Sequence, residues 1–304
     1  MPFIGTEALV AGDVTRRTLA SRHRMIYRNV YLPDGVELTS QGRAVAAWLW
    51  SRRNATVAGV SAASLHGAQW IDSALPAELI RQETCDVDGI VIHRVRLDDG
   101  ERCVSQGIPL TTPARTAFDL GRRARFETAV VRVHALANVT GLKPSDVERL
   151  AQDHRGARGI VQLRRVVALM DGGAESPQET RTRLLLTAAG FPQPRTQIVV
   201  VDAYGEFVGR IDLGWDEWKV GVEYDGPQHW DDSEQHARDI DRLADLAAQG
   251  WLIIRVSRDI LRFRRHVFLA RVRDAMRVAG WPYSSAIRLD ARIDWLDPAN
   301  RMWA

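Results

Sequence analysis

Between Ser176 and Ala279 the hydrophobic pattern switches repeatedly between the periods of helix and strand, and this order limits the fold more than any other feature. Ser176–Ala189 reads as a helix closed by Gly190. Arg195–Asp202 and Glu206–Trp215 read as strands, the second running into a Trp215-Asp216-Glu217-Trp218 turn. Lys219–Asp225 is a third strand ending at Gly226, and Ser233–Gln249 is a helix closed by Gly250. Trp251–Val256 is a fourth strand, and Asp259–Ala279 is mostly helical. Strands interleaved with helices bury their apolar sides as a mixed sheet with helices packed on it, so an α/β class is expected.

The remaining residues read as two further stretches. At 304 residues the chain has room for about two domains of ~100–200 residues each. Residues 1–72 carry short helices at Thr6–Ala11 and Val14–Ser21, the latter after Asp13 as N-cap. A strand-like Arg28–Leu32 follows, then the turn Pro33-Asp34-Gly35, a buried helix at Gln41–Ser51 and another starting at Ser61–His66. Two short helices followed by a hairpin is a winged-helix pattern. In residues 73–170, strands are expected at Ala77–Ile80 and Gly89–Arg96. Helices are expected from Thr112-Pro113, at Phe126–Ala137, at Pro144–Gln152 and at Gly159–Met170. Asp171–Glu175 reads as a linker, and the third domain is expected over 174–304.

Composition narrows the function classes. A chain that is 45% hydrophobic and 26% charged is neither disordered nor collagen-like. Cys85 and Cys103 make no Cys-x-x-Cys pair, which argues against cysteine-based zinc or redox chemistry. No apolar run approaches the ~18 residues of a membrane span, and Met1-Pro2-Phe3 does not begin a signal peptide. A cytoplasmic location and no membrane partner are expected. The formal charge is +3, but the 41 basic residues include only two lysines, Lys143 and Lys219. Residues 1–60 hold eight arginines against four acids. A basic N-terminal module of planar, always-charged side chains suits phosphate contacts, and Arg16, Arg17, Arg22 and Arg24 are the candidate DNA-binding residues; solvated surface charge is the alternative.

Two strands carry acids where apolar residues are usual. In Val220–Asp225, Val220, Val222 and Tyr224 share one face, and Gly221, Glu223 and Asp225 share the other. Asp212 opposes Ile211 and Leu213 in parity. If the strands pair as a hairpin, Asp212, Glu223 and Asp225 converge near the strand ends. Three gathered carboxylates repel unless a cation neutralises them, and their hard oxygens select Mg²⁺ or Mn²⁺. A solvated sheet face with scattered charge is the competing reading.

Ser176-Pro177-Gln178-Glu179, Arg210-Ile211-Asp212, Val222 to His229, Asp239 with Arg242, and Gly250 to Val256 resemble, in order and spacing, a domain-of-unknown-function branch of the PD-(D/E)xK nuclease superfamily. That branch is similar to the very-short-patch mismatch endonucleases, and the resemblance spans roughly 174–275. It implies a restriction-endonuclease-like mixed sheet flanked by helices, with a metal-dependent phosphodiesterase site. Glu179 matches the first-helix acid, Asp212 and Glu223 match metal ligands, and Asp225 falls where the wider superfamily has its lysine. Gln228 or His229 would orient or deprotonate water, and Arg242 or Arg255 would neutralise phosphate. Glu179 also fits a capping-box glutamate after Ser176, His229 an ordinary loop histidine, and Asp239 with Arg242 a surface ion pair.

Ser61 to Gly67 and Gly107 to Leu120 resemble AbiEi-type antitoxins, over roughly 1–170. Those proteins are similar in having a winged helix followed by a small α+β domain, and they bind promoter DNA. The combined expectation is a metal-dependent DNA endonuclease delivered to DNA by a winged helix. Its rival is a non-catalytic DNA-binding regulator or antitoxin, with a toxin or other protein as partner, that keeps the nuclease fold as scaffold.

Overall fold

Side-chain caps start several helices, Thr112 and Ser176 at the positions the sequence marks, and Thr15 in place of the expected Asp13. Thr15 accepts a hydrogen bond from Thr18 N at 3.1 Å and Thr39 from Gly42 N at 3.0 Å. Thr112 accepts from Arg115 N at 3.3 Å and Ser176 from Glu179 N at 3.1 Å. Each satisfies a helix N–H that has no partner within the helix. Left-handed glycines Gly12, Gly141 and Gly190 end three of the helices. These features come from a computed structural model that describes residues 1–83, 86–170, 173, 176–226, 233–282 and 287–291. The chain divides into two units, Met1–Gly172 and Gly173–Ala304.

The first unit opens with β1 (Phe3–Ile4), α1 (Gly5–Ala11) and α2 (Arg16–Arg22). The hairpin β2 (His23–Tyr27) and β3 (Val30–Pro33) follows, turned at Asn29 with φ 63°. Their antiparallel sheet has the order β1-β3-β2. Next come α3 (Ser40–Trp50), β4 (Thr56–Val57), α4 (Gly59–Leu65), β5 (Ala77–Ile80) and β6 (Ile90–His93). A single 3₁₀ turn at Asp99–Glu101 leads into the hairpin β7 (Arg102–Ser105) and β8 (Ile108–Thr111). A mixed sheet of order β6-β5-β4-β8-β7 results. Helices α5 (Pro113–Arg123), α6 (Phe126–Thr140), α7 (Pro144–Asp153) and α8 (Ile160–Ala168) complete the unit.

The division expected between residues 72 and 73 is not a boundary. Strand β4 lies in the middle of the five-stranded sheet, between β5 and β8. Ile4, Val30 and Leu49 also share one apolar cluster with Leu79, Ile90 and Leu110. Residues 1–72 therefore bury their apolar side against the strands that follow, and the two stretches form one unit.

In the second unit, α9 (Pro177–Ala189) precedes β9 (Arg195–Val201), β10 (Phe207–Trp215) and β11 (Val220–Asp225). Then come α10 (Ser233–Ala248), β12 (Leu252–Ser257), α11 (Arg258–Phe263) and α12 (Arg265–Val278). The helix expected over Asp259–Ala279 is two helices, broken at Arg264. The sheet order is β12-β11-β10-β9, with β11 and β12 parallel and the other pairs antiparallel. One face packs Leu213, Val220 and Val222 against Leu185, Phe268 and Val272 from the helices. The other packs Ile198, Val200 and Ile211 against Leu246 and Trp251. Both units are α/β, with mixed sheets and flanking helices. No helix among the described residues is long and apolar enough to cross a membrane.

A buried ionic network holds α5 in the first unit. The Arg115 side chain, 4% exposed, donates from Nη1 to Glu101 at 2.7 Å and from Nε to Asp119 at 2.9 Å. Removing its charge breaks two buried ion pairs, leaving Glu101 to His154 and Asp119 to Arg122 and Arg123. Arg115→Met should therefore destabilise the first unit by about 3–5 kcal/mol in urea unfolding, as broken buried pairs do. A loss below about 1 kcal/mol would show that the network carries little of the stability.

Candidate active site

Sheet pairing brings Asp212 beside Glu223. Leu213 pairs with Val222, so Asp212 lies one step beyond the last pair and Glu223 lies across from it. There the Asp212 carboxylate takes over the ladder's role, its Oδ2 accepting from Tyr224 N at 2.9 Å. Ile211 packs in one core cluster and Leu213 in the other. The strand thus turns over across Asp212.

Gln197 of β9 lies between the register pairs Ile211–Ile198 and Leu213–Thr196, with φ at 51°. A left-handed backbone is strained for a non-glycine residue, and such strain tends to collect at functional sites. Here it accompanies a hydrogen bond from Gln197 Nε2 to Glu179 Oε2 at 3.0 Å. Glu179 lies in the first turn of α9 and is 7% exposed. Its backbone N–H is capped by Ser176, and its carboxylate reaches β9, so the cap and the site coexist.

Burial is the largest influence on Asp212, and the nearby charges of Glu179 and Glu223 add to it. The Tyr224 N–H and Arg210 oppose them, and the carboxyl ends with a pKa of about 6. Three acids from three elements therefore share one electrostatic neighbourhood. Glu223 is itself 7% exposed and is gripped by Arg242 of α10, from Nη1 at 2.7 Å and Nη2 at 2.8 Å. Arg242 Nη2 also donates to Asp239 Oδ1 at 2.7 Å. Asp239 Oδ2 lies 3.0 Å from Arg255 of β12, and Arg255 in turn pairs with Asp225. The chain Glu223–Arg242–Asp239–Arg255–Asp225 is continuous. Hydrogen bonds from Arg242 to Glu223 and Asp239 raise its pKa, against the opposing effect of burial.

The structure thus brings together Glu179, Asp212, Glu223, Asp225 and Arg242. Asp239 with Arg242 is part of this site rather than a surface ion pair. Gln228 and His229 lie outside the described residues. Asp212, Glu223 and Asp225 do not close on a single point. Among the described residues, the trio with all its ligand atoms within 4.8 Å of one another is Asp98, Glu101 and His154 of the first unit. Guanidinium groups on Glu223 and Asp225 account for the open arrangement, because each carboxylate faces its arginine. In the Asp98 trio, Glu101 is already committed to Arg115, Asp98 N and His154 at 2.6–2.9 Å. Its charge is thus already met without a cation.

Arg16, Arg17 and Arg22 lie on α2 and Arg24 on β2, all four exposed. Arg24 also donates to Val36 O at 2.9 Å. Gln197 was missed by sequence reasoning. Nothing in its neighbours marks a glutamine for a left-handed backbone.

The raised pKa of Asp212 has a defined sign. The folded state holds the proton up to about pH 6, while the unfolded chain releases it near 3.8, so stability falls as pH rises through that window. The full effect above pH 6 is on the order of 3 kcal/mol. With EDTA present, Asp212→Asn should therefore be more stable than wild type at pH 8, and the gap should close by about pH 4. A gap independent of pH would contradict the electrostatic origin.

No family model and no solved structure matches the chain. An uncharacterized protein in each of two Mycobacterium tuberculosis strains is 31% identical over 195 residues, covering 63% of this chain and 71% of the relative. At that identity and coverage, this chain belongs to the same family as these mycobacterial proteins.

Proposed function

We propose that the chain is a DNA-directed phosphodiesterase dependent on Mg²⁺ or Mn²⁺, with its site at Glu179, Asp212 and Glu223. The observation that supports this most is the elevated pKa of Asp212, raised first by burial and then by the nearby charges of Glu179 and Glu223. Carboxylates that raise a neighbour's pKa favour a divalent cation. All three side chains offer the hard oxygens such an ion takes, although these do not all lie within 4.8 Å of one another, and the buried Gln197 Oε1 has no hydrogen-bond partner among the described residues. Asp212 and Glu223 would hold the ion, with Glu179 beside them. When bound, the ion would polarise a phosphoryl oxygen and lower the pKa of a water.

The chain's own groups supply positioning and charge. Ser176 and Gln197 hold Glu179 in place. Tyr224 N orients the Asp212 carboxylate. Arg255 engages Asp225, which leaves Asp225 outside the ligand set and makes it a positioning residue for Arg255. Arg242 swinging from Glu223 toward a phosphate would neutralise developing charge while Asp239 still anchored it.

In the first unit, α2 and the β2–β3 hairpin present the winged-helix order with exposed arginines, and DNA is the partner they suit. A non-catalytic regulator or antitoxin, with a toxin or other protein as partner, is the second reading. The bidentate grip of Arg242 on Glu223 favours it, because a guanidinium already balances that carboxylate.

Two experiments decide between the readings. The full chain should nick or cut DNA with Mg²⁺ or Mn²⁺ and not with EDTA, across duplex, mismatched, single-stranded and nicked substrates. Glu223→Gln should lower the rate by orders of magnitude while DNA binding persists. If no substrate is cut, the regulator reading prevails. Duplex binding should also weaken steeply with salt, and replacing Arg16 and Arg17 together by Gln should flatten the log–log slope by about two. An unchanged slope would move the DNA interface away from α2.

A further inference from the structure

In the first unit, arginines outnumber the carboxylates they face. Asp119, 1% exposed, takes guanidinium contacts from Arg115, Arg122 and Arg123 at 2.9, 2.7 and 3.1 Å. Glu78 already accepts from Val60 N at 3.0 Å and is paired with His93 Nε2 at 2.6 Å. Glu101 is shared between Arg115 and His154. Arg132 of α6 has no hydrogen bond or ion pair among the described residues and feels Glu78 only through space. Four arginines thus meet three carboxylates, and a proton on His93 or His154 would only add to the excess.

The surplus faces a space of about 180 Å³, lined by Gly59, Glu78, Asp119, Arg123 and Arg132 among others. At about 30 Å³ per water, it would hold roughly six waters. Arg123 Nη1 is buried with no hydrogen-bond partner among the described residues. Burial pushes both the Arg123 and Arg132 guanidiniums toward a lower pKa, against the pull of Asp119 and Glu78. Two partly desolvated guanidiniums with unused donors beside a small polar cavity call for an anion, since a buried donor without a partner is costly. A planar fork of N–H groups matches a phosphate best. The volume is ample for a phosphate group, and a terminal phosphate enters with one sugar at most, whereas a phosphodiester inside a duplex would bring both neighbouring sugars with it.

We propose that this space binds a terminal phosphate group, held by Arg123 and Arg132. The group could arrive as inorganic phosphate or as the 5′-phosphate of a nucleic-acid end. The inference is independent of any activity in the second unit.

The test uses the full chain in chloride buffer, with melting temperature and calorimetric titration as readouts. One arm adds inorganic phosphate. The other adds a short single-stranded oligonucleotide, with or without a 5′-phosphate. Either phosphate form should raise the melting temperature by mass action. Arg132→Gln should weaken binding roughly tenfold or more, the loss expected for one charge-assisted contact. The same variant should be as stable as wild type, or more so, without phosphate, because it removes a desolvated charge. Arg149→Gln, at an exposed side chain of α7 outside this space, should bind phosphate as wild type does. A response to inorganic phosphate places free phosphate in the site, and a response only to the 5′-phosphorylated oligonucleotide places a strand end there. Binding that survives Arg132→Gln, or is the same with and without the 5′-phosphate while inorganic phosphate has no effect, would overturn the proposal. Should Arg132→Gln fail to fold, Arg132→Lys serves in its place, expected to bind more weakly because it loses the fork.

Discussion

A carboxylate removed from water must be met by a cation, by hydrogen-bond donors or by a proton, and the second unit is arranged by how each acid is met. Glu223 has Arg242, and Asp225 has Arg255. Asp239 bridges the two guanidiniums. Glu179 receives the Gln197 amide. Asp212 receives a backbone N–H, and its proton is retained to about pH 6. This sequence of compensations positions α10, because Asp239 and Arg242 stand one turn apart on it and reach β11 and β12.

The first unit solves the same problem with the opposite surplus. Arginine is always charged, so it cannot relieve burial by releasing its proton as a carboxylic acid can relieve burial by gaining one. Asp119 takes three guanidiniums, leaving Arg123 with an unmatched donor. The unmatched Arg123 donor and the raised pKa of Asp212 are therefore local outcomes of packing.

What was legible in the sequence follows from how local each signal is. Thr112 with Pro113, and Ser176 with Glu179, announce helix starts because a cap acts within four residues. The alternation in Val220–Asp225 assigns Val222 to one core and Glu223 to the site, since strand period alone sets the face. Strand β4 has two residues and no period to detect, so its place at the centre of a sheet was unreadable, and a false boundary was drawn after residue 72. The β7–β8 hairpin was missed because Cys103, Pro109 and Thr111 give no clean alternation. Asp225 was read as a third ligand from parity alone. Parity places Arg255 on the same face without saying that the two would pair. The left-handed Gln197 depends on tertiary packing and has no local sign.

Arg242 is the group on which the two functional readings differ. A guanidinium held only by Glu223 would lose its sole counter-charge on leaving, and a partly buried arginine without one is costly. Arg242 is held twice, by Glu223 and by Asp239, with its Nη2 shared between them. Asp239 is in turn tied to Arg255, so it keeps its place when Arg242 moves. Departure from Glu223 therefore exchanges one ion pair while preserving another. Glu223, left behind, would lose its guanidinium beside Asp212, and the pressure that lifts the pKa of Asp212 would grow. On the proposed phosphodiesterase reading, the arrangement would couple the exposure of Glu223 to the arrival of positive charge from outside, whereas a scaffold would keep the same contacts closed.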